Sequence, residues 1–264
     1  MVFGLYLTMR KTYAWMVGLF LSGLPGGLLG QTIVNTETLL AQVDSGWAAT
    51  FGVGGDLSFG NSRVTDLSTD ASFGHTRKNM TYRLAGSWGR LAEDGNVIQE
   101  NRFAQLRVNR QLGNQGWQAF AFVQTASNSV LLMQERTLMG GGVRKRLADS
   151  DRGWFDIGWG PFSEREVYNA ELADPAEQLW RSSVTVASEW QMTEGLTWRN
   201  TVYVQSALSD FSDTRFFFES AANVALTERM SFEFDLIYRR DSQPHGGLEP
   251  VDIGTAFGLR WQVE

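Results

Sequence analysis

Residues 230–240 read MSFEFDLIYRR, and this alternation constrains the chain more than any other feature. In an extended strand successive side chains project to opposite faces, so Met230, Phe232, Phe234, Leu236 and Tyr238 share one side while Ser231, Glu233, Asp235 and Arg239 share the other. At helical spacing the same apolar residues would spread around the cylinder, so the pattern predicts a strand with one oily and one charged face. The last segment repeats it, with Ile253, Phe257, Leu259, Trp261 and Val263 opposite Asp252, Gly254, Arg260 and Gln262. In residues 214–226, Phe216, Phe218, Ala222, Val224 and Leu226 oppose Arg215, Glu219 and Asn223.

Composition agrees with many aromatic-rich strands. The 264 residues are 43% hydrophobic and include 28 glycines and 10 tryptophans, but only 5 prolines and no cysteine. The missing cysteine excludes disulfides, thiolate metal sites and a cysteine nucleophile. A net charge of −6 without a basic block argues against nucleic acid as a partner.

The N-terminus predicts export. Met9, Arg10 and Lys11 precede an apolar run from Tyr13 to Leu24 and a small-residue stretch reaching Gly30, the anatomy of a signal peptide over residues 1–30. The run is shorter than the ~20 residues a helix needs to cross a bilayer, which disfavours a membrane anchor. Met9 is an alternative start, and cleavage after Gly30 leaves the bulky Leu28 at the −3 position. Losing Arg10 and Lys11 takes the basic count from 23 to 21 against 29 acidic residues, about −8 for the mature chain. Residues 31–44 are then expected as a short periplasmic segment, with 45–264 forming the barrel.

Polar and glycine-containing breaks divide residues 45–264 into about twelve segments of about 9 to 15 residues. The expected strands are 45–60, 63–76, 80–91, 100–112, 116–127, 131–147, 152–168, 178–192, 195–208, 214–226, 230–241 and 251–263. Breaks after even-numbered segments are compact, as in TRKN, GNQ, ADSD, TE and TER, whereas those after odd-numbered ones include AEDGNVIQ, NAELADPAE and SQPHGGLEP. Short turns at one end and long loops at the other are the mark of an outer-membrane barrel, with periplasmic turns and extracellular loops. The predicted fold is all-β: a closed antiparallel up-and-down transmembrane β-barrel of about 12 strands.

Its lumen is expected to hold Arg107, Asn109, Asp156, Arg199, Arg215, Glu219, Asn223, Glu233, Asp235 and Arg239. Lipid is expected to meet Phe216, Phe218, Val224, Phe232, Phe234, Leu236, Tyr238, Phe257, Leu259 and Trp261. A three-residue loop at 227–229 would set Val224 opposite Phe232, Phe218 opposite Tyr238 and Asn223 opposite Glu233, keeping each pair on one face. A two-residue loop would flip one strand's faces. The segment WQAFAFVQ is apolar on both sides, and Gly140, Gly141 and Gly142 permit sharp curvature. Trp47, Trp88, Trp117, Trp154, Trp159, Trp180, Trp190, Trp198 and Trp261 are candidates for interfacial girdles.

The segments IVNTE, SGWAATFGVGGDLSFGNS, NRFAQLRVNRQL and, above all, LSDFSDTRFFFESAANVALTERMSFEFDLIYRRDSQP resemble the salt-induced outer membrane protein family, whose biochemical function is unknown. The resemblance covers almost all of the mature chain. It implies a Gram-negative outer-membrane β-barrel tied to salt or osmotic stress and brings no catalytic residues. Such an address implies outer-membrane lipid and lipopolysaccharide as surroundings and the barrel-assembly machinery as a partner during biogenesis. Barrels of this kind end on an aromatic residue, whereas this sequence runs three residues past Trp261, so either the insertion signal is imperfect or Trp261 serves in that place.

An acyl-transferring barrel enzyme would need a serine or threonine with a histidine base. The two histidines are His75, beside Arg77 and Lys78, and His245, near Asp241 and Ser242 in a turn-forming sequence; the latter group reads as turn chemistry. No paired-histidine metal spacing occurs, and the glycine run lacks the lysine of a phosphate loop, so neither metal nor cofactor is expected. The remaining alternatives are a small-solute or ion pore and a filled structural barrel. About twelve strands lie between the sizes that are filled and those that stay open. Mixed arginines and carboxylates favour a filled, ion-paired interior.

Overall fold

The computed structural model describes residues 33–39, 43, 45–58, 63–113, 115–169, 176–227 and 230–261. The expected signal peptide and the last residues, 262–264, lie outside them.

Alternation produces the strands as expected. They are β1 (Gly46–Ser58), β2 (Val64–Arg77), β3 (Met80–Glu93), β4 (Asn96–Leu112), β5 (Trp117–Asn128) and β6 (Met133–Ser150). The second half supplies β7 (Gly153–Tyr168), β8 (Ala176–Thr193), β9 (Leu196–Ala207), β10 (Thr214–Ala225), β11 (Met230–Asp241) and β12 (Val251–Trp261). A single helical turn, α1 (Thr36–Leu39), precedes them, and a short 3-10 turn, His245–Gly247, separates β11 from β12. Every ladder is antiparallel between sequence neighbours, giving one up-and-down sheet in the order β1 to β12.

The β10–β11 register is the one that the longer turn requires. Val224 pairs with Phe232, Phe218 with Tyr238 and Asn223 with Glu233, and the N–H groups of Leu226 and Thr227 both donate to the Met230 carbonyl. One loop departs from expectation. AEDGNVIQ is not a long connection: β3 and β4 extend through it to a two-residue turn, Asp94–Gly95, in which both residues have positive φ, 49° and 85°. Asp-Gly is a favoured pair for a type I′ hairpin, whose twist matches that of the flanking strands. Among the described residues, the connections 208–213 and 242–250 lie at one end, while the turns at 78–79, 151–152 and 194–195 lie at the other; most of the expected loop 169–177 falls outside the described residues.

The sheet buries its polar face and exposes its apolar one. Outward side chains such as Phe51, Trp47, Phe257 and Met139 are 71%, 67%, 64% and 60% exposed, whereas inward Arg215, Arg181, Arg136 and Glu164 are each 1% exposed. A water-soluble sheet packs the opposite way. The inward side is not purely polar: Ile33, Tyr203 and Phe217 form one buried cluster, and Phe103, Ala126, Leu131, Met133 and Tyr168 form another. WQAFAFVQ is apolar on both faces because Phe120 and Phe122 project inward, where Phe122 approaches Phe162 at 6.4 Å.

The glycine run serves close approach. A Cβ on Gly142 would collide with the Trp159 carbonyl oxygen, and one on Gly140 with the Phe162 Cβ. Bare backbone at these positions lets β6 and β7 draw together and the sheet curl.

Candidate functional site: the charged interior

Three arginines and four acids occupy the long-loop end of the inward face. Arg136 on β6 reaches Glu164 at 2.5 Å and Glu166 at 3.0 Å, both on β7. Arg181 on β8 pairs with Glu164 and grips Asp213 at 2.6 Å. Arg215 on β10 reaches Glu164 at 3.0 Å and Glu166 at 2.9 Å, and its Nε donates to Asp241 at 2.9 Å. The Tyr168 hydroxyl donates to Glu166 at 2.7 Å. Arginine suits this arrangement because its planar fork serves several carboxylates at once.

A second cluster lies deeper and includes a residue from outside the sheet. Residues 31–44 are the expected periplasmic segment, and their described part, from Ile33 onward, lies against the inward face: Ile33 packs on Tyr203 and Phe217, and Val34 on the Phe103 cluster. Glu37 of α1 accepts from Arg144 at 2.7 Å and from Arg107 at 3.2 Å. Burial would push its carboxyl up, but the Arg144 and Arg107 charges outweigh that and hold it at about 2. Asp156 accepts from Arg144 at 2.8 Å and from Arg146 at 2.5 Å. A cavity of about 70 Å³ adjoins this cluster, lined by Glu37, Gln105, Arg107, Phe120, Arg144 and Gln205 among others.

The other residues expected inside share the same face by register. Asn109 accepts from Arg83 at 3.5 Å, Asn223 donates to Glu233 at 2.8 Å, and Arg199 stands 3.9 Å from Glu189. Asp235 pairs in register with Ala221, and Glu219 with Ile237. Arg239 lies opposite Asp252 and over the Phe217 ring at 5.3 Å. Of the ten, Arg215 joins the first cluster and Arg107 and Asp156 the second; Arg136, Arg144, Arg181, Glu164, Glu166 and Glu37 were not anticipated. For the strand residues the signal was available, since Arg136 and Arg144 alternate with outward residues, as do Glu164 and Glu166 at the same parity as Asp156.

On the opposite face, Phe216, Phe218, Val224, Phe232, Phe234, Leu236, Tyr238 and Phe257 share one parity, and Leu259 and Trp261 pair in register with Phe232 and Met230. Of the candidate girdle residues, Trp47, Trp117, Trp190 and Trp198 are outward at the short-turn end. Trp154 instead lies inward, with the Arg146 guanidinium over its ring at 4.8 Å.

The residues weighed as a triad have separate partners. Asp241 accepts from Arg215, and the Ser242 hydroxyl donates to the Ser212 carbonyl. His245 Nε2 lies 3.2 Å from Glu177. Glu166, Glu177 and His245 bring ligand atoms within 4.8 Å of one another. Both Glu166 oxygens already accept from Arg215 and one from Tyr168, which makes the group a poor metal ligand.

The structure is similar to that of the NanC porin, at 11% identity and TM-score 0.47, over 75% of this chain and 94% of that one. It is similar to the KdgM porin at 8% and 0.44, over 77% and 98%, and to a bacterial polysaccharide outer membrane secretin at 10% and 0.47, over 83% and 81%. No curated protein matches the chain. The family described as "Protein of unknown function, DUF481" matches residues 51–262, from within the first strand to the last, and the chain belongs to that family.

Proposed function

We propose that the protein is a non-enzymatic outer-membrane β-barrel of a Gram-negative envelope whose interior is closed at rest. One observation carries this reading: arginines and carboxylates from β6, β7, β8, β10 and β11 meet one another on the inward side, while the other side is exposed hydrocarbon. Hydrocarbon on the outside needs lipid as its solvent, and a strand-built span in lipid needs every edge paired, so β12 returns to β1 in the membrane. The aromatic residues at the short-turn end then lie at the periplasmic interface.

Closure of the interior follows from the ion pairs. Arg215 spans from β10 to β7, and with Arg136 and Arg181 it ties the inward side together at the long-loop end. Purified protein in planar lipid bilayers is therefore expected to be silent, and heat-modifiable gel migration should report a folded barrel in the same sample. Discrete conductance steps would favour the porin-like reading instead. The tie to salt or osmotic stress rests on the sequence resemblance, and growth of a deletion strain across a salt series tests it.

A further inference from the structure

We infer that Arg107 and Arg144 form a receptor for a small hydroxycarboxylate, occupied at rest by the chain's own Glu37. Glu37 belongs to no strand. It is delivered by the N-terminal segment, and its two carboxylate oxygens are divided between guanidinium groups of β4 and β6 at 3.2 and 2.7 Å. That is how a free carboxylate would be held. The cradle is stiff, because Arg107 lies over the Phe120 ring at 4.7 Å and Arg144 is also tied to Asp156 at 2.8 Å.

The cradle offers more than Glu37 uses. Arg107, 8% exposed, has a buried Nε with no hydrogen-bond partner among the described residues, and the buried Oε1 atoms of Gln105 and Gln205 are also unpartnered. All three residues line the cavity of about 70 Å³ beside Glu37. A buried donor and two buried acceptors without partners are costly. A ligand with a carboxylate for the arginines and hydroxyls for the glutamines satisfies all of them. The cavity alone suits waters; with the Glu37 side chain withdrawn, the joined space suits a small hydroxy acid.

Glu37 is thus a tethered competitor. A tether of this kind acts at an effective concentration of millimolar order, so free acid displaces it only at or above that level. The inference uses the proposed enclosure but not the absence of conductance, so bilayer recordings and the experiment below fail independently.

Full-length mature E37A, folded in detergent, is melted by heat-modifiable gel migration with glycerate, acetate, acetamide or sodium chloride at equal ionic strength. Glycerate is expected to raise the midpoint most, acetate less, and acetamide and chloride not at all; the wild type, whose Glu37 competes, should respond less than E37A, and E37A/R144M should not respond. A folded E37A that responds no more to glycerate than to chloride overturns the inference. Wild-type hydrogen exchange covers the case in which E37A fails to fold. There, ~100 mM glycerate, above the tether's effective concentration, should accelerate exchange of residues 33–39 several-fold over chloride. Equal rates in the two salts overturn it equally.

Discussion

Arg215 and Glu166, on strands β10 and β7, face each other through two hydrogen bonds of 2.9 Å each, the Nη1 and Nη2 atoms donating to Oε1 and Oε2. Strands β8 and β9 lie between them in the sheet, so this contact crosses the inward side of the sheet instead of running along a ladder. Both residues are 1% exposed. Burying such a pair gains little net stability, but removing one partner strands the other's charge, at about 3–5 kcal/mol.

R215M should therefore lower stability by about that amount and leave Glu164, Glu166 and Asp241 short of positive charge. R215M/E166M should lose less than the two single losses combined, because the pair is coupled. Urea titration in lipid vesicles, followed by tryptophan fluorescence, measures all three variants. Additive losses would mean that the two residues do not depend on each other.

The tie between Glu37 and its two arginines has a pH dependence of definite sign. On a released segment Glu37 has its ordinary carboxylate value near 4.5, whereas in the cradle it is held at about 2. A lowered value stabilises the charged, bound form. The stabilisation is complete above 4.5, declines as pH falls below that, and is lost near 2. Protease cleavage within residues 33–39 should be slow at pH 7 and accelerate below pH 4.5, and E37Q should remove the acceleration. An E37Q profile that still follows the wild type would place the acid-sensitive group elsewhere.

Strand content was legible because alternation is a local signal. Each of the twelve expected segments overlaps an observed strand, and β10–β11 has the register predicted from keeping Phe218 and Tyr238 on one face. The β3–β4 connection was misread because length was given more weight than turn chemistry: Asp94–Gly95 is a complete hairpin turn by itself. The interior was only half legible. Parity placed Arg107, Asp156 and Arg215 inward, but which arginine meets which carboxylate depends on how tightly the sheet curls, and no local pattern encodes that. Glu37 was beyond reach altogether, since nothing in IVNTE says that the segment folds back against the strands.

Gly142 should tolerate no side chain. Its Cβ would meet backbone, the Trp159 carbonyl and the Gly160 Cα, neither of which can rotate away. G142A is expected to cost about 1–3 kcal/mol, in the range of overpacking. G86A is the control, because its Cβ would lie 3.4 Å from the Phe103 carbonyl oxygen, close to ordinary contact. Equal stability of the two variants, by the same urea titration, would remove close approach as the reason for the glycine run.

Whether the outward face meets hydrocarbon or water is decided by how the cost of a charge varies along a strand. Leu106 is outward and 50% exposed, paired in register with Leu84 and Val123 in the middle of its ladders, while Met192 is 53% exposed near the short-turn end of β8. On lipid-facing positions arginine costs about 2–4 kcal/mol at the bilayer midplane and about 0–1 near the interface. L106R should thus be severely destabilised in vesicles and M192R nearly neutral. On a face bathed in water, both would be surface substitutions within about 0.5 kcal/mol of wild type. The difference between two positions of nearly equal exposure is what reports the solvent, because lipid and water can cover equal areas of a side chain but differ several-fold in what they cost an arginine. Indistinguishable L106R and M192R would deny the outward face its bilayer.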